Sequence, residues 1–425
     1  MECEPAMYVD ETRDAGALLG TALGELAEAA RDVHRAVAGR VFGLLGKPAE
    51  PVRLIHDGIA AAAYTSARLG ARAVPAAIGA ATAELRAPSG QSLHATARGH
   101  FVLSALNGFW GDRLAEQRAS LAAPMCLRSH DGPLRRLPAN VVHDVGTEAT
   151  DRIVVFLHGL CENERFWWFG AEKHWGDSGV TYGSLLRDER GWTPLYLSYN
   201  SGLHISANGR ELAEQLDALL AAWPVPVREI ALVGHSMGGL VARSAACQGD
   251  ERSQSWVTVL RHVVGLGAPH LGAPLERFVC TGTHRLARLP ETRPFATWLN
   301  RRSAGIKDLR YGAVVEQDWS GVDPDDRQDR CTPATLLPGV AYSVAAATLS
   351  RKPSGPLAHD LLVAHGSAHG TGRTRRIEFE VDRTFHIGRK HHFDLLGDPA
   401  VYEQLRAWLA GADGAAPAAA VGVTG

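Results

Sequence analysis

From Leu19 the apolar positions recur at Leu23, Leu26, Ala30, Val33, Val37, Val41 and Leu44. Steps of three and four residues place them on one stripe of a helix, and Gly46 followed by Pro48 predicts its end. A second helix is expected from about Pro51, a proline tolerated in a first turn, past Ile55 and Ile59 to Leu69, and a third from about Ala76 to Leu85. The chain keeps this Ala-rich helical texture to about residue 122 and carries no chemical motif there.

After Pro124 the pattern changes: short β-branched runs alternate with helical periodicities, as in a parallel sheet with crossover helices. Buried strands are predicted at 152–157, 193–197, 229–233, 261–265 and 339–345, a helix at about 207–223, and a last strand within Phe379 to Phe385. Asp398-Pro399 predicts the cap of a final helix through Leu409. The interval from about 272 to 335 far exceeds an ordinary connection and predicts a cap or lid. The expected organisation is thus an Ala-rich helical region at 1–122, an α/β domain with a mostly parallel sheet at 123–410, and a disordered Ala/Gly-rich tail at 411–425.

Composition narrows the function classes. Apolar residues make up 45% and charged residues 21%, which fits an ordinary globular protein and excludes collagen-like and coiled-coil chains. A formal charge of -2 lacks the basic excess that neutralises phosphates, so no nucleic-acid partner is expected. Cys3, Cys126, Cys161, Cys247, Cys280 and Cys331 are scattered without a CxxC pair and read as free thiols of a reducing compartment. The acidic start Met-Glu-Cys-Glu-Pro has no apolar region behind it, so no secretory signal is expected. The uncharged run from Cys331 to Ser350 contains Pro333, Pro338 and Gly339 and reads as a loop and a buried strand, not a membrane span. The expected location is cytoplasmic, with membrane association left open.

Gly234-His235-Ser236-Met237-Gly238 fits G-x-S-x-G, follows an apolar strand directly and opens into Gly239-Leu-Val-Ala, a good helix start. That context makes it a nucleophile elbow, with Ser236 lifted above the sheet on a sharp turn. A serine hydroxyl needs a base to take its proton, and the base needs an acid to fix its tautomer. The base belongs on the loop after the last strand, which offers His386, His391 and His392; His392 lies nearest the capped helix. For the acid, Asp360 follows the strand at 339–345, and Asp382 is its rival. The strand ending at Leu157 runs into His158-Gly159-Leu160, so Leu160 N–H and Met237 N–H are the expected oxyanion donors.

Three further groups have two readings each. Phe166, Trp167, Trp168, Phe169 and Trp175 form either an acyl-binding wall or packing beneath the loop. Arg285, Arg288, Arg293, Arg301 and Arg302 form a solvated helical face or face an anionic substrate. His359, Asp360, His365 and His369 invite a metal reading, but no paired metal motif accompanies them, and a Ser-His-Asp mechanism needs neither metal nor cofactor.

Phe156-Leu-His-Gly-Leu160, Gly234-His-Ser-Met-Gly-Gly-Leu240, Gly267-Ala-Pro-His-Leu-Gly272 and His392-Phe-Asp-Leu-Leu396 together resemble α/β-hydrolases of the lipase and GPI inositol-deacylase-like group. The resemblance spans about residues 140–410. It implies the α/β-hydrolase fold, hydrolysis of carboxylic esters of lipids or related acyl compounds, and triad roles for Ser236, Asp360 and His392. Members commonly show a Gly-Asp-Gly turn at the acid, where this chain has His359-Asp360-Leu361. The expected activity is a serine carboxylester hydrolase working through an acyl-enzyme. Acyl transfer by the same triad is the alternative, and a non-catalytic interaction protein on the hydrolase fold is the reading from a different class. The N-terminal helices are expected to act as a lid, a homodimer contact or a peripheral membrane contact.

Overall fold

A computed structural model describes residues 5–85, 97–117, 120–129, 149–332 and 334–410. The tail expected at 411–425 lies outside the described residues. The chain divides into two compact units, one of residues 1–123, 275–307 and 324–328, the other of 124–274, 308–323 and 329–425. The interval 272–335, expected to be one cap, is therefore shared between both units.

In the second unit seven strands form one sheet: β1 (Cys126–Ser129), β2 (Arg152–Leu157), β3 (Thr193–Ser198), β4 (Glu229–His235), β5 (Leu260–Leu266), β6 (Ala341–Thr348) and β7 (Thr384–Gly388). Their spatial order is β1-β3-β2-β4-β5-β6-β7. All pairs are parallel except β1 with β3. The near-continuous apolar runs of β2 to β5 follow from burial on both faces. Alternate residues feed two cores: Ile153, Val155, Leu157 and Leu232 meet Leu216 and Leu240 on one side, and Val154, Phe156, Val233 and Val264 meet Leu405 and Trp408 on the other. This is the α/β-hydrolase arrangement, with every functional loop at the C-terminal ends of the parallel strands. The final helix Pro399–Trp408 starts as expected, with the Asp398 side chain accepting from Ala400 N at 2.9 Å.

Burial inside the sheet has a pH consequence at His262 on β5. Loss of hydration first, then Arg383 and Arg261, push its imidazole down to about 4. Because the folded value lies below the unfolded value of about 6.5, its contribution to stability is present above pH 6.5 and is lost as pH falls through about 4. Urea denaturation between pH 7 and pH 4 is expected to show a loss about 3 kcal/mol smaller in His262→Asn than in the wild type.

In the first unit α1 (Pro5–Leu45), α2 (Glu50–Leu85) and α3 (Ala97–Glu116) are long helices. The break expected between Leu69 and Ala76 is absent: α2 continues through Pro75. An interior proline costs about 3 kcal/mol, and here α1 packs onto it. A Cβ on Gly16 would lie 2.5 Å from Pro75 O, so only glycine allows this approach. Glu28 on α1 pairs with Arg68 and Arg72 on α2 at 3.1 and 3.3 Å. With α2 held by the glycine side, the α1 stripe of Leu19, Leu23, Leu26, Val37, Val41 and Leu44 stays 40 to 86% exposed.

The segment 275–307 belongs to this unit. Arg301 binds Glu25 at 2.8 Å, Arg302 forks onto Glu276 at 2.7 to 3.0 Å, and Ser303 N donates to Phe109 O at 3.0 Å. Two of the five arginines in the basic stretch are thus committed to carboxylates. Among the described residues no helix is long and apolar enough to cross a membrane.

Candidate active site

β4 ends at His235 and the helix Met237–Glu251 begins at once, leaving Ser236 to make the whole turn at φ 53 and ψ -122. A non-glycine residue there is strained, and the surroundings must hold it. They do so by close backbone packing: a Cβ on Gly234 would lie 2.2 Å from Gly238 C, and one on Gly238 would lie 2.4 Å from Leu157 O. Ser236 N donates to Leu266 O at the end of β5, at 2.8 Å.

Asp360 lies on the loop after β6 and His392 on the loop after β7, and the pairing of these neighbouring strands brings the two together. His392 Nδ1 is 2.6 Å from Asp360 Oδ2, and His392 N donates to Asp360 O at 3.0 Å. Asp360 Oδ1 accepts from Leu362 N at 3.0 Å and Val363 N at 2.8 Å. Burial alone raises the Asp360 carboxyl, but the His392 hydrogen bond and charge, with those two amides, bring it below its usual value. A carboxylate at Nδ1 fixes the tautomer with the proton on Nδ1. His392 Nε2 is then the basic nitrogen; it is buried and makes no hydrogen bond among the described residues. The imidazole lies over Gly267, where a Cβ would be 3.0 Å from Cε1. Gly267 follows Leu266, whose carbonyl holds Ser236 N, so His392 and the elbow share one support.

The other candidates go elsewhere. His386 Nε2 bonds Thr348 Oγ1 at 2.8 Å, His391 Nε2 lies 3.5 Å from Asp394, and Asp382 is exposed in the one-turn helix Val381–Arg383 that precedes β7. The departure at the acid turn has a visible cost: Leu361 takes φ 91, a backbone region that suits the glycine of a Gly-Asp-Gly turn.

The two expected oxyanion donors lie on the segments that leave the paired ends of β2 and β4. Leu157 pairs with Gly234, and Leu160 and Met237 each lie three residues further on. Met237 is the first residue of its helix, where an N–H has no partner within the helix. Burial and Glu162 push the thiol of Cys161, beside Leu160, up to about 11.

Three of the aromatic set pack into the domain: Trp167 edge-on against Phe156 at 4.8 Å, Trp168 tilted against Tyr196 at 4.8 Å, and Trp175 edge-on against Tyr402 at 5.8 Å. Phe166 and Phe169 instead face Phe393, at 6.3 and 5.8 Å, and the Phe393 ring lies 5.7 Å from that of His392. The histidines near Asp360 do not assemble a metal site: no group of three possible ligands occurs among the described residues. His365 and His369 pack ring to ring at 4.1 Å, and burial pushes His365 down to about 4.

One part of the site escaped sequence reasoning. Glu162, buried on the loop after β2, accepts from Gly159 N at 2.6 Å and lies 3.0 Å from His235 Nδ1, while His235 Nε2 is 3.2 Å from His392 O. The available signal was a glutamate three residues after the glycine of His158-Gly159, together with the histidine inside the elbow.

Residues 148–324 match the family model described as PGAP1-like alpha/beta domain. Among solved structures, the chain is similar to Bacillus licheniformis lipase BlEst2 in mature form (18% identity, 59% of this chain, 89% of that chain, TM-score 0.37). It is also similar to EstA from Clostridium botulinum (13% identity, 61% and 87%, TM-score 0.36) and to a Pyrobaculum calidifontis esterase (14% identity, 60% and 75%, TM-score 0.35).

Proposed function

We propose that the protein is a serine hydrolase of carboxylic esters, of esterase or lipase type, with Ser236 as nucleophile, His392 as general base and acid, and Asp360 as its orienting carboxylate. The observation that carries this reading is the buried Asp360–His392 pair, with Nε2 unbonded and its ring over Gly267, the residue after the carbonyl that holds the strained Ser236 turn. Ser236 Oγ forms a bond to the ester carbonyl carbon as its proton passes to His392 Nε2. The carbonyl oxygen becomes an oxyanion held by Leu160 N–H and Met237 N–H, and Asp360 stabilises the imidazolium. When the bond to the leaving alcohol breaks, that oxygen takes the proton from Nε2. Water then gives a proton to His392 Nε2 as its oxygen bonds the acyl carbon; the bond to Oγ breaks, Nε2 returns the proton to Oγ, and the acid and free Ser236 are released. Phe393 beside the base, with Phe166 and Phe169 against it, favours an apolar acyl group.

The test is hydrolysis of p-nitrophenyl esters from acetyl to palmitoyl, with labelling by a fluorophosphonate probe. Ester turnover and label on the Ser236 peptide are expected, with an optimum beyond acetyl. Folded protein that neither turns over any ester nor takes the probe would remove the proposal.

A further inference from the structure

Both ring nitrogens of His235 face groups that accept hydrogen bonds. Nε2 lies 3.2 Å from the main-chain carbonyl of His392, which can only accept, so Nε2 carries a proton. Nδ1 lies 3.0 Å from Glu162 Oε2, an oxygen that already accepts Gly159 N–H at 2.6 Å. An oxygen receiving a charge-assisted bond of that length is best served as carboxylate, which leaves the second proton on Nδ1. We propose that Glu162 and His235 form a buried carboxylate–imidazolium pair that positions His392 and the oxyanion loop.

The pair joins three loops that sequence keeps far apart: the one after β2 at Gly159–Glu162, the elbow at His235, and the one after β7 at His392. Its ring lies 4.6 Å from the His392 ring, centre to centre, so the pair braces the imidazole from the elbow side. The titratable groups facing His235 are Glu162, Asp360, His392 and His158. Burial lowers the imidazole, but the charge and hydrogen bond of Glu162, the His392 carbonyl and Asp360 together raise it above its usual value. Burial raises Glu162, and His235 with Gly159 N–H brings it down. His158 is driven down by its own burial and so adds no competing positive charge.

This inference rests on the reading of His392 as the base, and its test separates the two. Nitrogen-15 NMR of histidine-labelled protein, assigned by subtracting the His235→Gln spectrum, reports both nitrogens without any turnover. Protonation of both at neutral pH is expected in the wild type, and of one only in Glu162→Gln, which retains an acceptor for Gly159 N–H. In His235→Gln kcat is expected to be lower by on the order of 10- to 100-fold, with KM little changed. If His235→Gln does not fold, Glu162→Gln carries the kinetic test with the same direction. A singly protonated His235 in the wild type, or an unchanged kcat in a folded variant, would overturn the pair. Loss of the Ser236 mechanism would leave the spectrum as expected and show itself in the ester assay instead.

Discussion

Ser236→Ala is expected to lower kcat on a p-nitrophenyl ester by about 10⁶-fold, leaving only the residual rate that binding and the oxyanion donors provide. The magnitude follows from the division of labour: without Oγ there is no acyl-enzyme, and His392 Nε2 has no hydroxyl to activate. Alanine at φ 53 inherits the strain already present at Ser236, so the thermal midpoint is expected to stay within a few degrees. Kinetics at saturating ester beside a melting curve check both halves. Near wild-type turnover in the variant would remove Ser236 from the mechanism, whatever the fold.

The largest effect expected on the scaffold comes from Gly234→Ala. The added Cβ would fall 2.2 Å from both Gly238 C and Gly239 N, main-chain atoms that cannot swing aside as a side chain can. The helix behind the elbow must shift, at a cost of about 3 kcal/mol, the upper end of ordinary overpacking. Activity should fall by at least about 100-fold, because the shift moves Ser236 off the base. Gly70→Ala on α2 is the control: its Cβ would meet nothing within 4 Å, and alanine in a helix interior is favoured by about 1 kcal/mol. Denaturation curves should move in opposite directions for the two variants.

What the chain disclosed in advance depended on how local the signal was. The core strands β2 to β5 were legible because burial on both faces leaves unbroken apolar runs such as Ile153 to Leu157. Ser236 and its glycines were legible because one turn imposes all their constraints. β1 was not, since four residues, Cys126 to Ser129, give too short a run to distinguish from loop. β7 lay a few residues beyond its expected place, because Phe379 and Val381 mimic a strand while the chain there makes a turn of helix. Pro75 misled for a tertiary reason: the glycine face of α1 sustains a helix that propensity would end. Glu162 and His235 are 73 residues apart, and only the pairing of β2 with β4 brings them into contact.

The division of the chain into units bears on how it is made at the ribosome. α1, α2 and α3 are complete by residue 123, but the segments that finish their unit, 275–307 and 324–328, follow only after most of the sheet. At synthesis rates of about 5 to 20 residues per second, roughly 180 further residues take on the order of 10 to 40 s. During that delay Glu25 lacks Arg301 and the carbonyl of Phe109 lacks Ser303 N–H. The nascent helices therefore wait without the partners that complete their unit, and slowing translation before residue 275 should lower soluble yield more than slowing it after residue 328.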